Sequence, residues 1–426
     1  MLWYERGSRN DIITPDQVRE ALYSVFDRMG DKKRVLAIPP DITRLNSFAG
    51  PMTEMVYDYF GDRLTDVMPA LGTHTAMSDE QLGFMFGHTP LDRFRVHDWR
   101  NDVVTLGEVP SEEIERLSEG RLHFPLPVQV NKMLLDPSFD LILSLGQVVP
   151  HEVIGMANYT KNIFVGVGGS AGINRSHYLG AVYGMERLMG RAHSPVRDAL
   201  EYANQHYTKN LPIVYVLTVM AKDETSGKMV MRGLFIGDDF DCFEKACKLS
   251  LEVNFIMVEK PIRKCLVYLD PAEFKSTWLG NKAVYRTRMA LADGAELIIL
   301  APALREFGED RTIDALIRKY GYKGTPATLQ ATESNTDLQE NLGASAHLIH
   351  GSSEGRFSIT YCPGEGISRE EIEGVGYNWC SYARMAAKYD LANLHDGWNT
   401  TADGEEVYYI SNPALGLWAH PDRFKD

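Results

Sequence analysis

Short, largely apolar runs recur along this chain, and several of them lead into glycine, proline, aspartate or histidine. Four of them occupy residues 34–44, 66–74, 140–146 and 211–218. Near-continuous Val, Ile and Leu runs of this length are typical of strands buried on both faces of a parallel sheet. Stretches with helical spacing, such as 14–29 and 196–206, lie between them. This alternation of strand and helix predicts an α/β fold with a mostly parallel sheet.

A second α/β region is predicted to begin near Pro261. Strand, helix and strand patterns follow in turn at 265–269, 282–292 and 295–301. No Gly/Ser/Pro-rich linker marks the boundary. We therefore expect an N-terminal domain over 1–260 and a C-terminal domain over 261–426.

Composition argues against several classes of function. The 426 residues include 44 Lys+Arg and 58 Asp+Glu, a formal net charge of −14 that argues against a nucleic-acid binder. The five cysteines are scattered and form no CxxC, which excludes a disulfide framework and a zinc ribbon. The N-terminal residues show no signal-peptide pattern, and no apolar stretch approaches a membrane-spanning length. We therefore expect a cytoplasmic protein that binds neither nucleic acid nor membranes.

Candidate functional residues follow two of the predicted strands. Asp41, Thr43 and Arg44 come directly after the first run. Arginine suits bidentate recognition of a carboxylate. Asp41 either holds Arg44 or a hydroxyl in place or caps a helix. His74 follows the second run in a Gly-Thr-His turn. It is a candidate general base, although a lone histidine of this kind is more often a surface residue.

A third cluster holds His151, Lys161, the glycine-rich stretch 166–172 and His177. Glycine-rich turns expose N–H groups that bind phosphate, but they also make tight connections between packed elements. Neither a Walker A motif nor a dinucleotide fingerprint is present.

Lys282, in the second region, is a candidate carboxylate partner or a solvated lysine. His347 and His350 have i,i+3 spacing but no acidic third ligand nearby, so we leave them out of the site.

Taken together, these clusters resemble the nickel-pincer lactate racemase family in order and spacing. The matching motifs are Asp41-Ile-Thr-Arg44, Gly72-Thr-His74, the block of Pro150-His151, Lys161 and His177, and the second-domain Lys282. The similarity covers nearly the whole chain. It implies two α/β domains with the cofactor and active site in the cleft between them.

The resemblance also implies residue roles. Two sulfurs and a ring carbon of a nickel-pincer nucleotide, the pyridinium-3-thioamide-5-thiocarboxylic acid mononucleotide, would hold nickel. The implied roles are acid/base catalysis for His74 and His151, covalent cofactor attachment for Lys161, nickel ligation for His177, and substrate binding for Arg44, Lys282, Asp41, Thr43 and Trp278. Imidazole is a suitable nickel ligand.

The implied reaction is inversion at C2 of a 2-hydroxy carboxylic acid by proton-coupled hydride transfer. One histidine takes the hydroxyl proton while hydride leaves C2 for the cofactor, which gives a planar 2-keto acid. Hydride returns to the other face, and the second histidine supplies the proton. The implied partners are a small 2-hydroxy acid and the enzymes that build the cofactor.

Three departures from the family pattern concern the substrate. Asn158-Tyr159-Thr160 stands where a Gly-Gly pair is common, Val165-Gly166 stands for Pro-Gly, and Trp278-Leu279 stands for Tyr-Gln. The polar additions at 158–160 favour a sugar acid such as gluconate over lactate. The larger ring of Trp278 leaves phenyllactate open, and malate and lactate also stay open.

Two other functions remain as alternatives. A nicotinamide-dependent hydroxy-acid dehydrogenase would need the dinucleotide fingerprint that the sequence lacks. A cofactor-free protein that binds small acids would not need all of His74, His151, Lys161 and His177.

Overall fold

Residues 1–223 and 225–424 are described by a computed structural model, and the chain divides into two units. The first comprises Met1–Leu179 and Leu188–Asn254, and the second comprises Gly180–Arg187 and the chain from Phe255 onward. The sequence placed the boundary between 260 and 261 and did not indicate that a short internal segment joins the second unit. Both units mix helices with mostly parallel sheet, which confirms the predicted α/β class.

The elements of the first unit cover most of its length. Its strands are β1 (Leu2–Gly7), β2 (Val35–Ile38), β3 (Leu64–Val67), β4 (Val103–Val109), β5 (Leu126–Asn131), β6 (Leu141–Gln147), β7 (Pro150–His151), β8 (Gly155–Met156), β9 (Ile213–Lys222) and β10 (Met229–Gly237). Its helices are α1 (Pro15–Met29), α2 (Ala49–Phe60), α3 (Asp79–Phe86), α4 (Ser111–Leu117), α5 (Ser170–Tyr183), α6 (Met185–Leu188), α7 (Pro195–Ala203) and α8 (Phe240–Asn254), of which α5 and α6 include the 180–187 segment. Two π-helices occupy Asn162–Gly166 and Asn204–Thr208, and short 3-10 helices occupy Ile42–Ser47, Gly61–Arg63, Leu91–Arg93 and Lys132–Leu135.

The main sheet of the first unit has the order β1-β10-β9-β6-β2-β3. Strands β9, β6, β2 and β3 are parallel, and β10 and β1 add antiparallel pairs at one side. From β2 the chain passes to β3 on one side, whereas β6 lies on the other side of β2. The strand order therefore reverses between β2 and β6, which is where open α/β sheets bind ligands beyond their carboxyl ends.

Local sequence explains the helix that covers this sheet. Thr14 caps α1 in a capping box with Gln17, and Pro15 occupies the first turn. Val18, Leu22 and other apolar side chains at helical spacing are fully buried in the core of the first unit. The strands β2, β6 and β9 are buried along nearly their whole length, as their continuous apolar runs predict.

The second unit has its own sheet and core. Its strands are β11 (Phe255–Met257), β12 (Ile262–Tyr268), β13 (Leu291–Ala301), β14 (Ser358–Pro363), β15 (Asn378–Trp379), β16 (Gly397–Thr400), β17 (Glu406–Ile410) and β18 (Leu417–Ala419). Its helices are α9 (Thr277–Gly280), α10 (Lys282–Thr287), α11 (Arg311–Tyr320), α12 (Thr325–Ser334), α13 (Thr336–Gln339), α14 (Leu342–His350), α15 (Arg369–Gly374) and α16 (Tyr382–Lys388), and a 3-10 turn lies at Pro413–Leu415.

The second sheet has the order β15-β14-β13-β12-β17-β16, with every pair parallel except β16 with β17. The helix predicted over 282–292 ends at Thr287, because β13 already begins at Leu291. Among the described residues, no helix combines the length and the apolar character that crossing a membrane requires.

Candidate functional site

Three of the predicted site residues follow parallel strands of the first unit at the same edge of its sheet. Asp41 follows β2, His74 follows β3, and His151 lies just beyond β6. Pro40 pairs with Ala70 in a parallel bridge, which continues the pairing of β2 and β3 to this edge. The carboxyl ends of these strands thus bring Asp41, His74 and His151 to one edge of the sheet, as their positions after the apolar runs predict.

Asp41 and His74 form a hydrogen-bonded pair. Oδ2 of Asp41 lies 2.6 Å from Nδ1 of His74, while Oδ1 accepts hydrogen bonds from the amide and hydroxyl of Thr43. Burial opposes ionisation of Asp41, yet the bond to His74, the Thr43 hydroxyl and the Arg44 charge together lower the pKa of this carboxyl. The carboxylate therefore holds the His74 proton on Nδ1, so that Nε2 is the basic nitrogen of the neutral ring. The His74 side chain is 39% exposed, so a substrate has access to it.

The second histidine, His151, carries its ring proton on the opposite nitrogen from His74. His151 is buried, and its Nδ1 accepts a hydrogen bond from the amide of Val153 at 3.2 Å. In the neutral ring the proton is therefore on Nε2. Burial lowers the pKa of His151 well below its ordinary value, and the charges of Lys161, Arg44 and His177 add to this effect against Glu152. These groups are thus within electrostatic reach of one another at this edge of the sheet.

Lys161 is preceded by a strained and tightly held segment. Asn158 and Tyr159 have φ angles of 68° and 56°, which cost about 1–2 kcal/mol each for residues other than glycine. The fully buried guanidinium of Arg197 binds this segment at three points, the carbonyl oxygens of Met156 and Asn158 and the hydroxyl of Thr160, at 2.7–3.1 Å. The Thr160 hydroxyl in turn donates to Glu201. Arg197 thus fixes the backbone that leads into Lys161.

The residue after Lys161 is also fixed. Nδ2 of Asn162 donates to the carbonyl oxygen of Ile38, at the end of β2, and to Oγ of Ser144 in β6. Asn162 therefore bridges the two strands between which the strand order reverses. It also begins the buried π-helix, and π-turns of this kind frequently occur at functional sites.

These surroundings change the chemistry of Lys161 itself. Burial lowers the pKa of its ammonium to about 8, and the nearby charge of Arg44 adds to the effect, while Glu152 and Asp41 act against it. An amine with this pKa is partly neutral at physiological pH, which is the form that reacts with an electrophilic carbon. Lys161 therefore fits the predicted role of a covalent anchor.

His177 lies in α5 and is partly buried. Its Nδ1 lies 2.7 Å from the carbonyl oxygen of Ile173, one turn earlier, so that Nδ1–H donates and Nε2 keeps a lone pair. Burial lowers the pKa of His177 to about 4, with the Lys161 charge as the second cause. A neutral imidazole that is oriented through its other nitrogen is the form that binds metals.

The donor set matches a cofactor that brings most of its own ligands. Among the described residues, no group of three or more His, Cys, Asp or Glu side chains is arranged to hold a metal ion. A metal at this site would therefore need ligands from elsewhere. A nucleotide that binds nickel through its own sulfur and carbon atoms, with His177 as the one protein ligand, satisfies that condition.

Arg44 lies within the 3-10 helix that follows β2, at a kink with φ −117° and ψ 33°. Within the described chain, its guanidinium forms no hydrogen bond or ion pair, and the side chain is half-buried. It is therefore available to a carboxylate ligand. Thr43 is exposed, and its hydroxyl acts on Asp41.

The glycine-rich stretch 166–172 serves close packing. A Cβ at Gly168 would overlap the carbonyl oxygen of Phe164, and one at Gly169 would lie 2.5 Å from Oε1 of Gln129. His97, buried and with its pKa lowered by burial, contacts the Gly168 carbonyl oxygen at 2.9 Å. These contacts support the interpretation of the stretch as a tight connection between packed elements.

The remaining predicted residues belong to the second unit. Lys282 begins α10, and its Nζ lies 3.8 Å from Glu273 and 5.5 Å from the ring centre of Phe274, both of which follow β12. Trp278 packs on His347 with ring centres 4.5 Å apart. Nε2 of His347 lies 3.0 Å from the Tyr322 hydroxyl, a structural contact for a histidine that the sequence analysis left out of the site.

One expectation about the substrate pocket is wrong. Asn158, Tyr159 and Thr160 were expected to offer donors and acceptors to a substrate, but all three are buried. Asn158 accepts from the next amide, Tyr159 stacks on Phe243, and Thr160 is bound by Arg197 and Glu201. Their side chains support the Lys161 backbone instead, so the polar additions no longer favour a sugar acid.

Sequence reasoning missed Arg197, Glu201 and Asn162. Arg197 and Glu201 lie in an amphipathic helix, where charged residues are ordinarily solvated. No sequence signal distinguishes them from surface residues. Asn162 stands beside Lys161, and its position directly after a proposed anchor is the one hint that the sequence offers.

Comparison with known proteins finds one family model over part of the chain and structures of similar fold. Residues 20–188 match the lactate racemase N-terminal domain family. A structure of a protein from Thermotoga maritima shares 21% identity with a TM-score of 0.82, over 97% of this chain and 100% of that one. The lactate racemase apoprotein from Thermoanaerobacterium thermosaccharolyticum shares 16% identity with a TM-score of 0.71, over 96% of this chain and 93% of that one. A search of curated protein sequences finds no match.

At these identities the two structures establish a shared fold, whereas the family match concerns the sequence itself. The matched region contains Asp41, His74, His151, Lys161 and His177. The N-terminal region, residues 20–188, therefore matches the lactate racemase N-terminal domain family, and the chain shares the fold of the lactate racemase apoprotein.

Proposed function

We propose that this protein is a racemase or epimerase that inverts C2 of a 2-hydroxy carboxylic acid. The observation that carries the proposal is the pair of histidines with opposite neutral tautomers at one edge of the sheet. His74 presents a lone pair on Nε2, and His151 presents a proton on Nε2. Inversion at a carbinol carbon requires one group that accepts the hydroxyl proton and one that donates, with the roles exchanged for the mirror-image substrate.

The chain's own residues account for binding and proton transfer. Arg44 binds the substrate carboxylate, and Nε2 of His74 takes the hydroxyl proton while Asp41 stabilises the imidazolium that forms. His151 takes up a proton from solvent before it donates to the keto oxygen, and its lowered pKa makes the resulting imidazolium a strong proton donor. Lys282 is proposed, on the resemblance alone, as a second carboxylate partner.

The proposed cofactor is a nickel-pincer nucleotide. Lys161 would hold it covalently, and Nε2 of His177 would ligate the nickel. When bound, it supplies the hydride acceptor that no side chain provides. The support is the lowered pKa of the Lys161 amine and the oriented, neutral His177 ring.

The proposed substrate carries an apolar group on C3. The departures at Asn158–Thr160 and at Val165-Gly166 are buried and leave Trp278 and Leu279 as the changes that would concern a substrate. Both are apolar, and both are half-buried in the second unit. This favours an acid such as phenyllactate over gluconate.

We predict that the Lys161 amine reacts with acetic anhydride at an unusually low pH. With a pKa of about 8, about a tenth of Lys161 is neutral at pH 7, against less than about a thousandth of an ordinary lysine. Peptide mass spectrometry across pH 6–11 should place the midpoint of the Lys161 rate near 8. Exposed Lys209 serves as the internal control, and equal midpoints for both lysines would refute the prediction.

We predict that His177 holds nickel and that His74 does not. Protein made together with the cofactor-building enzymes should lose most of its nickel in His177→Ala but keep it in His74→Ala, which should lose turnover. Elemental analysis measures the metal, and intact mass shows whether the nucleotide is still attached to Lys161. The division of roles fails if both variants lose nickel equally.

We predict that Asp41→Asn lowers kcat by roughly 10²–10⁴-fold with little change in KM, because the carboxylate positions His74 rather than the substrate. Thr43→Val removes one hydrogen bond to the same carboxylate and is the matched control. It should cost less than about tenfold. A rise in KM with unchanged kcat in Asp41→Asn would show that Asp41 binds substrate instead.

We predict that the cofactor-loaded enzyme prefers phenyllactate within a panel of single-enantiomer lactate, malate, phenyllactate and gluconate. Chiral chromatography reports formation of the mirror-image acid or the C2 epimer. Trp278→Tyr should reduce the difference in turnover rate between phenyllactate and lactate. If gluconate turns over fastest, the sugar-acid hypothesis is restored. If lactate turns over fastest, the substrate preference is that of a lactate racemase.

A further inference from the structure

A short connection joins the first π-helix to α5, and groups that the proposed reaction does not use bind it from outside. It consists of residues 167–169. The carbonyl oxygen of Val167 accepts a hydrogen bond from the amide of Asn131, at the end of β5, at 2.8 Å. The next carbonyl oxygen, that of Gly168, lies 2.9 Å from Nε2 of His97. Two consecutive carbonyl groups of the connection are therefore held in place.

The tautomer of His97 follows from its neighbours. His97 lies in the loop before β4, and both it and Asn131 are 2% exposed. Oδ1 of Asn131 accepts from the amide of Met133 at 3.0 Å, so that Nδ2 of Asn131 faces Nδ1 of His97, also at 3.0 Å. Because Nδ2 only donates, Nδ1 of His97 carries no proton, and Nε2–H donates to the Gly168 carbonyl oxygen. Burial lowers the pKa of His97, which keeps the ring neutral.

The connection lies between the two residues that would hold the cofactor. The amide of Val167 donates at 3.1 Å to the carbonyl oxygen of Asn162, which directly follows the proposed anchor. The amide of Ile173 donates at 3.0 Å to the carbonyl oxygen of Gly169. The carbonyl oxygen of Ile173 in turn orients the ring of His177. A change in the connection is therefore passed to both ends.

The same stretch also holds the turn that carries His74. The amide of Gly72, two residues before His74, donates to the carbonyl oxygen of Gly166 at 2.8 Å. On the other side, the amide of Gly172 donates to Oε1 of Gln129 in β5 at 3.3 Å. Strand β5 and His97 thus hold a stretch of backbone that contacts the elements of three proposed functional residues.

We propose that His97 is a positioning residue for this site. Its neutral imidazole, oriented by Asn131, fixes the Gly168 carbonyl group and so sets the placement of Lys161 relative to His177. His97 acts through the connection and not by contact with substrate or cofactor. The inference rests on the proposed function for the roles of Lys161 and His177.

The test compares His97→Phe with His97→Gln in the full-length protein. Phenylalanine keeps a ring but leaves the Gly168 carbonyl group and the Asn131 side-chain amide without their partner, whereas glutamine again offers a donor to Gly168. Hydrogen exchange at residues 166–173 should rise about tenfold or more in His97→Phe, relative to exchange in α1. The midpoint of Lys161 acetylation should rise from near 8 towards the ordinary lysine pKa of about 10.4, because the amine becomes less buried. His97→Gln should recover most of both effects.

Nickel content gives a separate readout of the same inference. In protein made together with the cofactor-building enzymes, His97→Phe should hold less nickel per chain than the wild type, and His97→Gln should approach the wild-type value. Elemental analysis measures the metal. If the wild type itself holds no nickel, the proposed function fails, and the exchange and acetylation results decide the role of His97 on their own.

Two further variants serve as controls. His123→Phe makes the same substitution in the first unit at a side chain that is 63% exposed, and it should leave exchange at residues 166–173 unchanged. Asn131→Ala leaves the imidazole in place and removes the group that selects its tautomer. It should raise exchange at residues 166–173 by a smaller factor than His97→Phe, and it replaces that variant if His97→Phe does not fold.

Three results would overturn the inference. The first is a rise in exchange at residues 166–173 that is no larger than in α1, together with a Lys161 midpoint that stays near 8, since His97 would then support the fold in general. The second is failure of His97→Gln to recover either effect, since the donor to Gly168 would then not be the cause. The third is an equal effect of His123→Phe.

Discussion

The proposed site depends on how the backbone around Lys161 is held. Arg197 binds three groups of the preceding segment from a fully buried position, and Asn162 ties the next residue to β2 and β6. A buried guanidinium is costly unless its partners satisfy it, and the nearby Glu201 charge offsets part of the burial, while Nε of Arg197 has no hydrogen-bond partner. The two left-handed residues before Lys161 persist because these contacts over-determine the segment. Covalent anchoring of a cofactor needs such a fixed position.

The same crowding sets the electrostatics of the site. Burial is the largest cause of the lowered pKa of Lys161, His151 and His177, the Lys161 charge further lowers the pKa of both histidines, and His177 also lowers that of His151. The result is a set of nitrogen bases that are wholly or partly neutral at physiological pH. Neutral forms are the ones that attack an electrophile, accept a proton or ligate a metal. Asp41 is the exception: its carboxyl stays ionised because His74, the Thr43 hydroxyl and the Arg44 charge stabilise the carboxylate.

The sequence predicted those parts of the site that depend on local pattern. Strand ends carry Asp41, His74 and His151, and apolar runs locate strand ends with useful accuracy. It could not predict Arg197, since the contacts from Arg197 to Met156 and Asn158 cross about 40 residues and depend on how α7 packs. It also misjudged Asn158 to Thr160 because residue type does not reveal which way a side chain points. Two of these positions also have a left-handed backbone, which residue type did not indicate.

The central claim is that the Asp41–His74 pair and His151 serve inversion at C2 of a 2-hydroxy acid with hydride, not proton, transfer at carbon. The most direct measurement gives the cofactor-loaded enzyme one enantiomer of phenyllactate in D₂O and analyses the products by chiral separation with mass detection. The account predicts the mirror-image acid with its C2 hydrogen retained as protium. Deuterium at C2, or one-way conversion to the keto acid that depends on an added nicotinamide cofactor, would contradict it.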